Sequence, residues 1–505
     1  MDASVPIVQA DVTVIGAGMA GLSCALALAR AGARVLVLER RAEAGGVVRS
    51  ARAGERGQYL LELGPNTFSS HPSQAIDLAR ELGLGERMMA RPMRDYDRFL
   101  WSGQRLVKAP TGPLSFLTTP MLTVGERLRV VAEPLLGGPR AVSTVDGDTA
   151  LGPYVREHFG AAFHDAFLVP IISGIYAANP EHVSLRAAFP KMFAHVEGAR
   201  SAVLGGGRGG RAGGPKQPRK PRLLATFPDG LKELPRAMAA AVTELGSRVV
   251  YGVQAMELRP AEAESAEPAA GLTAPRWMLR GEHSSGAFDV ATREVVVAAP
   301  LWKARQVIRE VAPLVASELD GIPSNNMVVV HMALPLDGLS FQPRGFGFLV
   351  PRGRGLRILG GLFSSAMFAG RAPEGETLIT CFMGGELDPS ACDLDDEALV
   401  REATGDLTRA LGYRAGQPLF TQVTRWSPAL PVYRTGHPQR VERIRKALPE
   451  GLHLTGNYLE AISLPESSRQ GYELGEALAA SIPDLRKRPA FAFDTHPSEG
   501  FYARR

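Results

Sequence analysis

Cysteine is scarce in this chain: three residues, Cys24, Cys381 and Cys392, occur among 505. An odd, widely spaced set excludes a disulfide framework, and no pair has metal-ligand spacing. The usage fits a reducing cytoplasm. Long apolar runs are missing as well. The first apolar stretch, Val12–Leu38, is broken by glycines and by Arg30 and Arg34. No window is long and apolar enough to predict a membrane span. The N-terminus lacks a basic region followed by an apolar run and a cleavage site, so no signal peptide is expected. Membrane contact is therefore expected only at the surface.

Acidic residues are absent from one segment. Arg200, Arg208, Arg211, Lys216, Arg219, Lys220 and Arg222 occur there with no Asp or Glu; subtracting these seven from the net charge of +5 leaves −2 for the rest. The segment also carries no aromatic residue, so it lacks the stacking platforms of a nucleic-acid-binding face, and no nucleic-acid partner is expected. Its Gly- and Pro-rich part, Gly205–Pro221, cannot bury enough apolar surface to order itself and is expected to be disordered. Elsewhere the balance, 45% hydrophobic and 22% charged, is that of an ordinary globular protein. The length predicts two or three domains.

What is present begins at the N-terminus. Asp11–Ile15 reads as a strand, Met19–Ala31 as a helix ended by Gly32, and Arg34–Leu38 as a second strand. Between the first strand and the helix stands Gly16-Ala17-Gly18-Met19-Ala20-Gly21. Gly16 allows a tight turn, Gly18 lets backbone approach a pyrophosphate, and Gly21 lets helix pack on strand. The pyrophosphate would meet the N–H groups at the helix start. Glu39 ends the second strand, where a carboxylate accepts hydrogen bonds from an adenosine ribose. Gly45-Gly46 with Arg49, and then Glu62-Leu63-Gly64-Pro65-Asn66, extend this fingerprint. The segment from Gly456 to Leu464 opens another helix. Together these favour FAD over NAD.

Further along, residues 91–200 read as mostly helical. Arg248–Tyr251 and Glu294–Ala298 read as strands, with Ala261–Ala270 joining a hairpin. Met327–His331, Gly347–Val350, Arg357–Gly360 and Leu378–Phe382 also read as strands. Leu452–Ile482 reads as strand, glycine turn and long helix.

These residues resemble the oxygen-dependent protoporphyrinogen/coproporphyrinogen oxidase family, within the flavin amine oxidase superfamily. Beyond the glycine loops, the likeness rests on Asp97-Arg98-Phe99-Leu100-Trp101, Pro110-Thr111-Gly112, Ser173–Ala177 with Asn179-Pro180, and Gly345–Pro351. It continues through Leu362–Phe368 with Arg371-Ala372-Pro373, Met383-Gly384-Gly385 and Leu454–Tyr458. The resemblance implies an α/β fold: a Rossmann-like FAD-binding domain assembled from separate stretches (1–90, 223–300 and 421–487), an α+β substrate domain (301–420) and a helical membrane-docking domain (91–200). A basic loop (201–222) and a tail (488–505) complete the chain.

It also implies non-covalent FAD and a six-electron oxidation of a porphyrinogen, protoporphyrinogen IX or alternatively coproporphyrinogen III. Molecular oxygen is the acceptor, and hydrogen peroxide is released. The enzyme is expected in the cytoplasm, peripherally associated with the inner face of the cell membrane. A homodimer and hand-over to ferrochelatase are further partners of that reading. The cofactor-binding positions are Gly16, Ala17, Gly18, Met19, Ala20, Gly21, Glu39, Arg40, Gly46, Val47, Arg49, Gly64, Pro65, Asn66, Thr67, Ala255, Trp426, Gly456, Ile462, Ser463 and Leu464. The substrate positions are Arg98, which holds a propionate, with Gly174, Leu349 and Phe368. Ala178 and Ala461 stand where the family usually has glycine, and Glu466-Ser467 where it has Asp-Cys.

No general base stands out: His158, His164, His182, His195 and His331 are isolated, and no triad or metal set occurs. Flavin chemistry tolerates this, because the cofactor accepts the electrons. Two rivals remain. A flavin amine oxidase keeps a lysine near the flavin in its strand-rich half, whereas no lysine lies between Lys303 and Lys446. A flavin-fold protein without turnover would lack a reason to keep Arg98.

Overall fold

The computed structural model describes residues 7–138, 148–205, 221–262, 272, 274–460, 462–482 and 485. Most of the Gly205–Pro221 segment, Ala461 and the tail 488–505 lie outside the described residues.

The opening strand runs Ile7–Ile15, starting earlier than its β-branched core suggests. Val12 and Val14 are wholly buried, because a parallel strand in mid-sheet is covered on both faces. The helix Met19–Arg30 follows, then the parallel strand Val35–Leu38. This is the expected βαβ unit. Arg248–Val250 continues the parallel sheet beyond Val35–Leu38. On the other side Gly286–Val297 pairs in parallel with both Ile7–Ile15 and Leu452–Leu454, and antiparallel with Trp277–His283. Gln254–Pro260 closes this seven-stranded sheet.

The closing helix, Leu464–Ser481, lies along Met19–Arg30. A Cβ on Gly471 would fall 2.0 Å from the Ala20 carbonyl oxygen, and one on Gly475 would fall 2.5 Å from that of Cys24. The two pairings advance together, so the helices run parallel. Ser23 and Ser468 share a hydrogen bond of 2.8 Å between them. Small residues spaced three and four apart make this contact.

The second seven-stranded sheet runs Phe420–Trp426, Met327–Pro335, Glu376–Gly384, Gly360–Phe363, Gly347–Leu349, Arg98–Trp101, Leu106–Lys108. Alternation decides its two faces. Val328, Val330, Met332 and Leu334 point with Phe348, Phe363 and Ile379 into a core covered by the helix Asp396–Leu411. The other face carries Arg98, Leu349 and His331. There Ala333, Leu378 and Phe420 pack on Tyr59, Leu61 and Leu63 of the hairpin Ser50–Ala53/Tyr59–Glu62. That hairpin belongs to the dinucleotide half, so this face looks towards the cofactor segments.

Several expectations need correction. The stretch 91–200 contains the strands Arg98–Trp101 and Leu106–Lys108, which join the second sheet. The boundary at 421 cuts the strand Phe420–Trp426 of that sheet. Leu301–Ile308 and Pro313–Asp320, assigned to the substrate part, pack on the first sheet instead. Arg357–Gly360 is not a strand. The Asp406 carboxylate takes the Arg357 and Ile358 N–H groups at 2.7 and 2.8 Å, so those donors never enter a ladder, and the strand begins at Gly360.

Between the two Arg98-side strands and residue 200 the described residues are mostly helical, with a core that includes Leu151, Tyr154, Ile172, Leu185 and Phe193. No described helix is long and apolar enough to cross a membrane.

Candidate active site

The glycine loop is built by close approach. Gly16 has φ +108°, and a Cβ there would meet the Ala298 carbonyl oxygen at 2.9 Å; a Cβ on Gly21 would fall 2.1 Å from the Gly16 oxygen. Both glycines are therefore demanded by packing. Gly18 differs. Its backbone is ordinary extended chain, and a Cβ would have only the Gly46 Cα nearby, at 4.0 Å. Open space in front of Gly18, at the start of a helix, is what a backbone approach to a phosphate requires. The Gly45-Gly46 turn closes the other side: Gly45 N–H donates to the Ala17 oxygen at 2.8 Å, and a Cβ on Gly46 would sit 3.2 Å from Gly18 Cα. The two loops form one cradle with no side chain in it.

Glu39 lies at the cradle's edge, buried. Its carboxylate accepts the Ala17 and Arg41 N–H groups, each at 2.8 Å. It thus fixes the loop's own backbone, a role the sequence does not announce, and each oxygen keeps a second lone pair for a ribose hydroxyl. Ala255 is buried close by, two residues beyond Val253, whose N–H donates to the Glu39 backbone carbonyl. Arg40 is exposed with its guanidinium 6.0 Å from the Trp302 ring. Arg41, absent from the expected set, donates to the Gly46 carbonyl at 2.6 Å and ties the second loop down. Met19 and Ala20 are buried in the first turn of the helix.

Further along, Val47 is exposed and Arg49 half-buried. The Gly64–Thr67 segment is half-buried throughout. A Cβ on Gly64 would strike the Val47 oxygen at 2.1 Å, with the Trp426 ring beyond at 3.7 Å. Trp426 donates its indole N–H to the Leu63 oxygen at 2.7 Å, and Asn66 donates to the Gly64 oxygen at 3.2 Å. Gly456 follows Thr455, whose N–H donates to the Val297 oxygen, one strand from the glycine loop. Ile462 is half-buried, and Ser463 caps the closing helix at Leu464 by accepting the Glu466 N–H. The helix contact described above brings this N-terminus beside that of Met19–Arg30. The set fits an extended dinucleotide from Glu39 through Gly18 and Gly46 to Gly64 and Ser463.

Three of the four substrate positions lie on the second sheet or against it. Leu349 is in register with Leu100 on one side and Gly360 on the other. A Cβ on Gly174 would fall 2.4 Å from Leu349 Cδ2, so the helix Val169–Tyr176 needs glycine to close on that side chain. Arg98 is paired with Gly347, on the same face as Leu349. Its guanidinium lies 5.9 Å from the Phe346 ring. No carboxylate partners Arg98 among the described residues; neighbouring Asp97 is held by Lys108 and Asp95 by Arg94. Arg98 is exposed at the start of its strand; partial desolvation, and after it the charge of Arg222, lower its guanidinium from the ordinary value. Phe368, the fourth position, is buried with Tyr96, Met367 and Leu224 in a cluster that Phe346 also borders.

One pair joins the two halves. Arg371 donates to Glu62 Oε1 at 2.8 Å with both side chains 3% exposed. Ser50 and the Leu231 N–H also bond the Glu62 carboxylate, and Arg371 reaches Thr226. Burial raises Glu62 from the usual carboxylate range, while Arg371 pulls it back. Glu62, Arg371, Asn66 and Phe368 line one small cavity between cofactor turn and substrate wall. His331 sits on the same sheet face, wholly buried; its Nδ1 meets Thr380 Oγ1 at 3.2 Å and its Nε2 has no partner. Burial pushes its imidazole down to about 4, so it is neutral.

A family model described as flavin containing amine oxidoreductase matches residues 19–464. The chain belongs to that family, and FAD is its cofactor. Within it, the chain is 30% identical to the chloroplastic protoporphyrinogen oxidase of Oryza sativa subsp. japonica, over 96% of this chain and 90% of that protein. It is 24% identical to the coproporphyrinogen III oxidase of Bacillus subtilis (strain 168), over 91% of this chain and 96% of that protein. It therefore sits with the porphyrinogen oxidases of the family. The fold matches a crystal structure from Exiguobacterium sp. 255-15, provisionally titled a protoporphyrinogen oxidase, with TM-score 0.74 at 22% identity, covering 94% of this chain and 99% of the other.

Proposed function

We propose that the protein oxidises a porphyrinogen to the porphyrin, with protoporphyrinogen IX as the first substrate to test and coproporphyrinogen III as the second. The observation that carries this reading is Arg98: a guanidinium with no acid partner among the described residues, on the sheet face that meets the cofactor turn. Bound FAD supplies the electron acceptor, which dioxygen re-oxidises with release of hydrogen peroxide. The rest is positioning. The planar fork of Arg98 pairs with a propionate and sets one edge of the macrocycle. Leu349, held by Gly174, and Phe368 give apolar walls that orient the rings and exclude water. Glu39 and the Gly18–Gly46 cradle fix the cofactor's nucleotide end.

The same reading gives the helical part a surface role. Leu114, Leu117, Val124, Leu128, Val131, Leu135 and Leu136 are exposed, Leu135 by 91%, beside Arg127 and Arg129. Apolar side chains this exposed mark an interaction surface; with basic neighbours it suits the inner face of an anionic membrane.

Steady-state kinetics under saturating oxygen test the reading. Arg98→Ala should keep FAD content while kcat/KM falls about ten- to a hundredfold, the worth of one charged hydrogen bond. Arg98→Lys should recover part of it. Unchanged kcat/KM in Arg98→Ala would overturn the anchor role.

A further inference from the structure

Arg98 is not alone. Arg222 immediately precedes the strand Leu223–Thr226, and its carbonyl accepts the Met93 N–H at 2.7 Å. Leu224, two residues on, packs in the cluster of Tyr96, Met367 and Phe368 that Phe346 borders. Phe346 is the ring under Arg98. Arg222 and Arg98 therefore flank one apolar wall, and the field of Arg222 is felt at Arg98. Arg91, in register with Leu224, lies by the same wall, where Tyr96 is raised by burial and feels both Arg91 and Asp95.

None of Arg91, Arg98 and Arg222 forms an ion pair with a described acid. The chain beside Arg222 offers none either, because Arg200–Arg222 contains no Asp or Glu. All three arginines are exposed, and the neighbouring Asp95 and Asp97 are held by Arg94 and Lys108; a ligand carrying more than one negative charge complements such a set.

We infer that Arg222, with Arg91 behind it, is a second carboxylate anchor, so that the substrate is held at two carboxylates along one edge while its apolar rings lie on Phe346 and Phe368. This rests on the porphyrinogen reading and adds a specificity-determining residue to it. Two-point fixation would forbid the macrocycle from turning about a single Arg98 contact, and it would reject analogues that present only one acid.

The experiment crosses two proteins with two substrates. Wild type and Arg222→Ala, both FAD-loaded, are assayed in detergent with protoporphyrinogen IX and with its dimethyl ester, which has the same ring and no carboxylate. Arg222→Ala should lower kcat/KM for the diacid on the order of tenfold, and should leave the ester unchanged within about twofold, because the partner is already gone. Arg222→Lys should restore part of the loss for the diacid alone. Equal losses on diacid and ester would mean a structural role and overturn the inference, as would no loss on either. Failure of the wild type to oxidise either protoporphyrinogen IX or coproporphyrinogen III would overturn the porphyrinogen reading itself, an outcome separate from either of those.

Discussion

Replacing Arg371 by Met keeps most of the side-chain volume but leaves the buried Glu62 carboxylate with no cation. Glu62 retains only Ser50 Oγ at 2.6 Å and the Leu231 N–H at 2.9 Å. Removing one member of a buried pair costs roughly 3–5 kcal/mol, because the remaining charge stays desolvated. The effect here should lie at the upper end, since both partners are 3% exposed and Thr226 also loses a bond. Burial already raises Glu62, so without Arg371 its carboxyl should take up a proton and trim part of that cost. Urea unfolding of the FAD-loaded protein, followed by flavin release, reads the loss directly. Adding Glu62→Gln to Arg371→Met removes the stranded charge and should recover about half or more of the stability. If Arg371→Met is as stable as wild type, or the double variant is no better than the single, the pair does not join the two halves as argued.

Three further outcomes follow from the geometry. Gly18→Val should fold but lose FAD, because the backbone there suits any residue while its branches fill the space in front of the helix; full flavin content in the purified variant would contradict the cradle. His331 and His437 are each held neutral by burial, their values lowered from 6.5 to about 4. Their folded values lie below the unfolded ones, so each contributes stability fully present above about pH 6.5 and lost as pH falls towards 4, up to about 3 kcal/mol each. His331→Met should flatten its share of that slope, and an unchanged urea midpoint profile between pH 7 and pH 5 would refute it. Leu128→Glu with Leu135→Glu should weaken sedimentation with anionic liposomes while leaving turnover in detergent intact; equal sedimentation would remove the membrane role from this face.

Local features were legible in the sequence because their signal is local. The Gly16–Gly21 turn, the helix it opens, Gly32 as its end and the closing helix all follow from spacing within a few residues. The second sheet was legible as strands but not as a sheet: nothing near Arg98 announces Gly347 as its neighbour. The Arg357–Gly360 error has the same origin, since the group that captures those amides is Asp406, in a distant helix. Glu62 and Arg371 stand 309 residues apart. In the sequence each belongs to a different motif. Arg222 read as the end of a basic linker, and only the packing of Leu224 puts it beside the substrate wall. By contrast, the tight fit of Gly471 and Gly475 on the first helix could have been read from their spacing with Ser468.

The central claim, that the FAD held by this chain takes electrons from a porphyrinogen, is tested most directly without turnover. The purified FAD-loaded protein is mixed anaerobically with protoporphyrinogen IX, and separately with coproporphyrinogen III, while flavin absorbance and porphyrin fluorescence are followed. The account predicts that the flavin bleaches with at least one of them, and that admitting oxygen restores the yellow colour with hydrogen peroxide and fluorescent porphyrin. A flavin that stays oxidised with both porphyrinogens, yet bleaches with a simple amine or not at all, would contradict it.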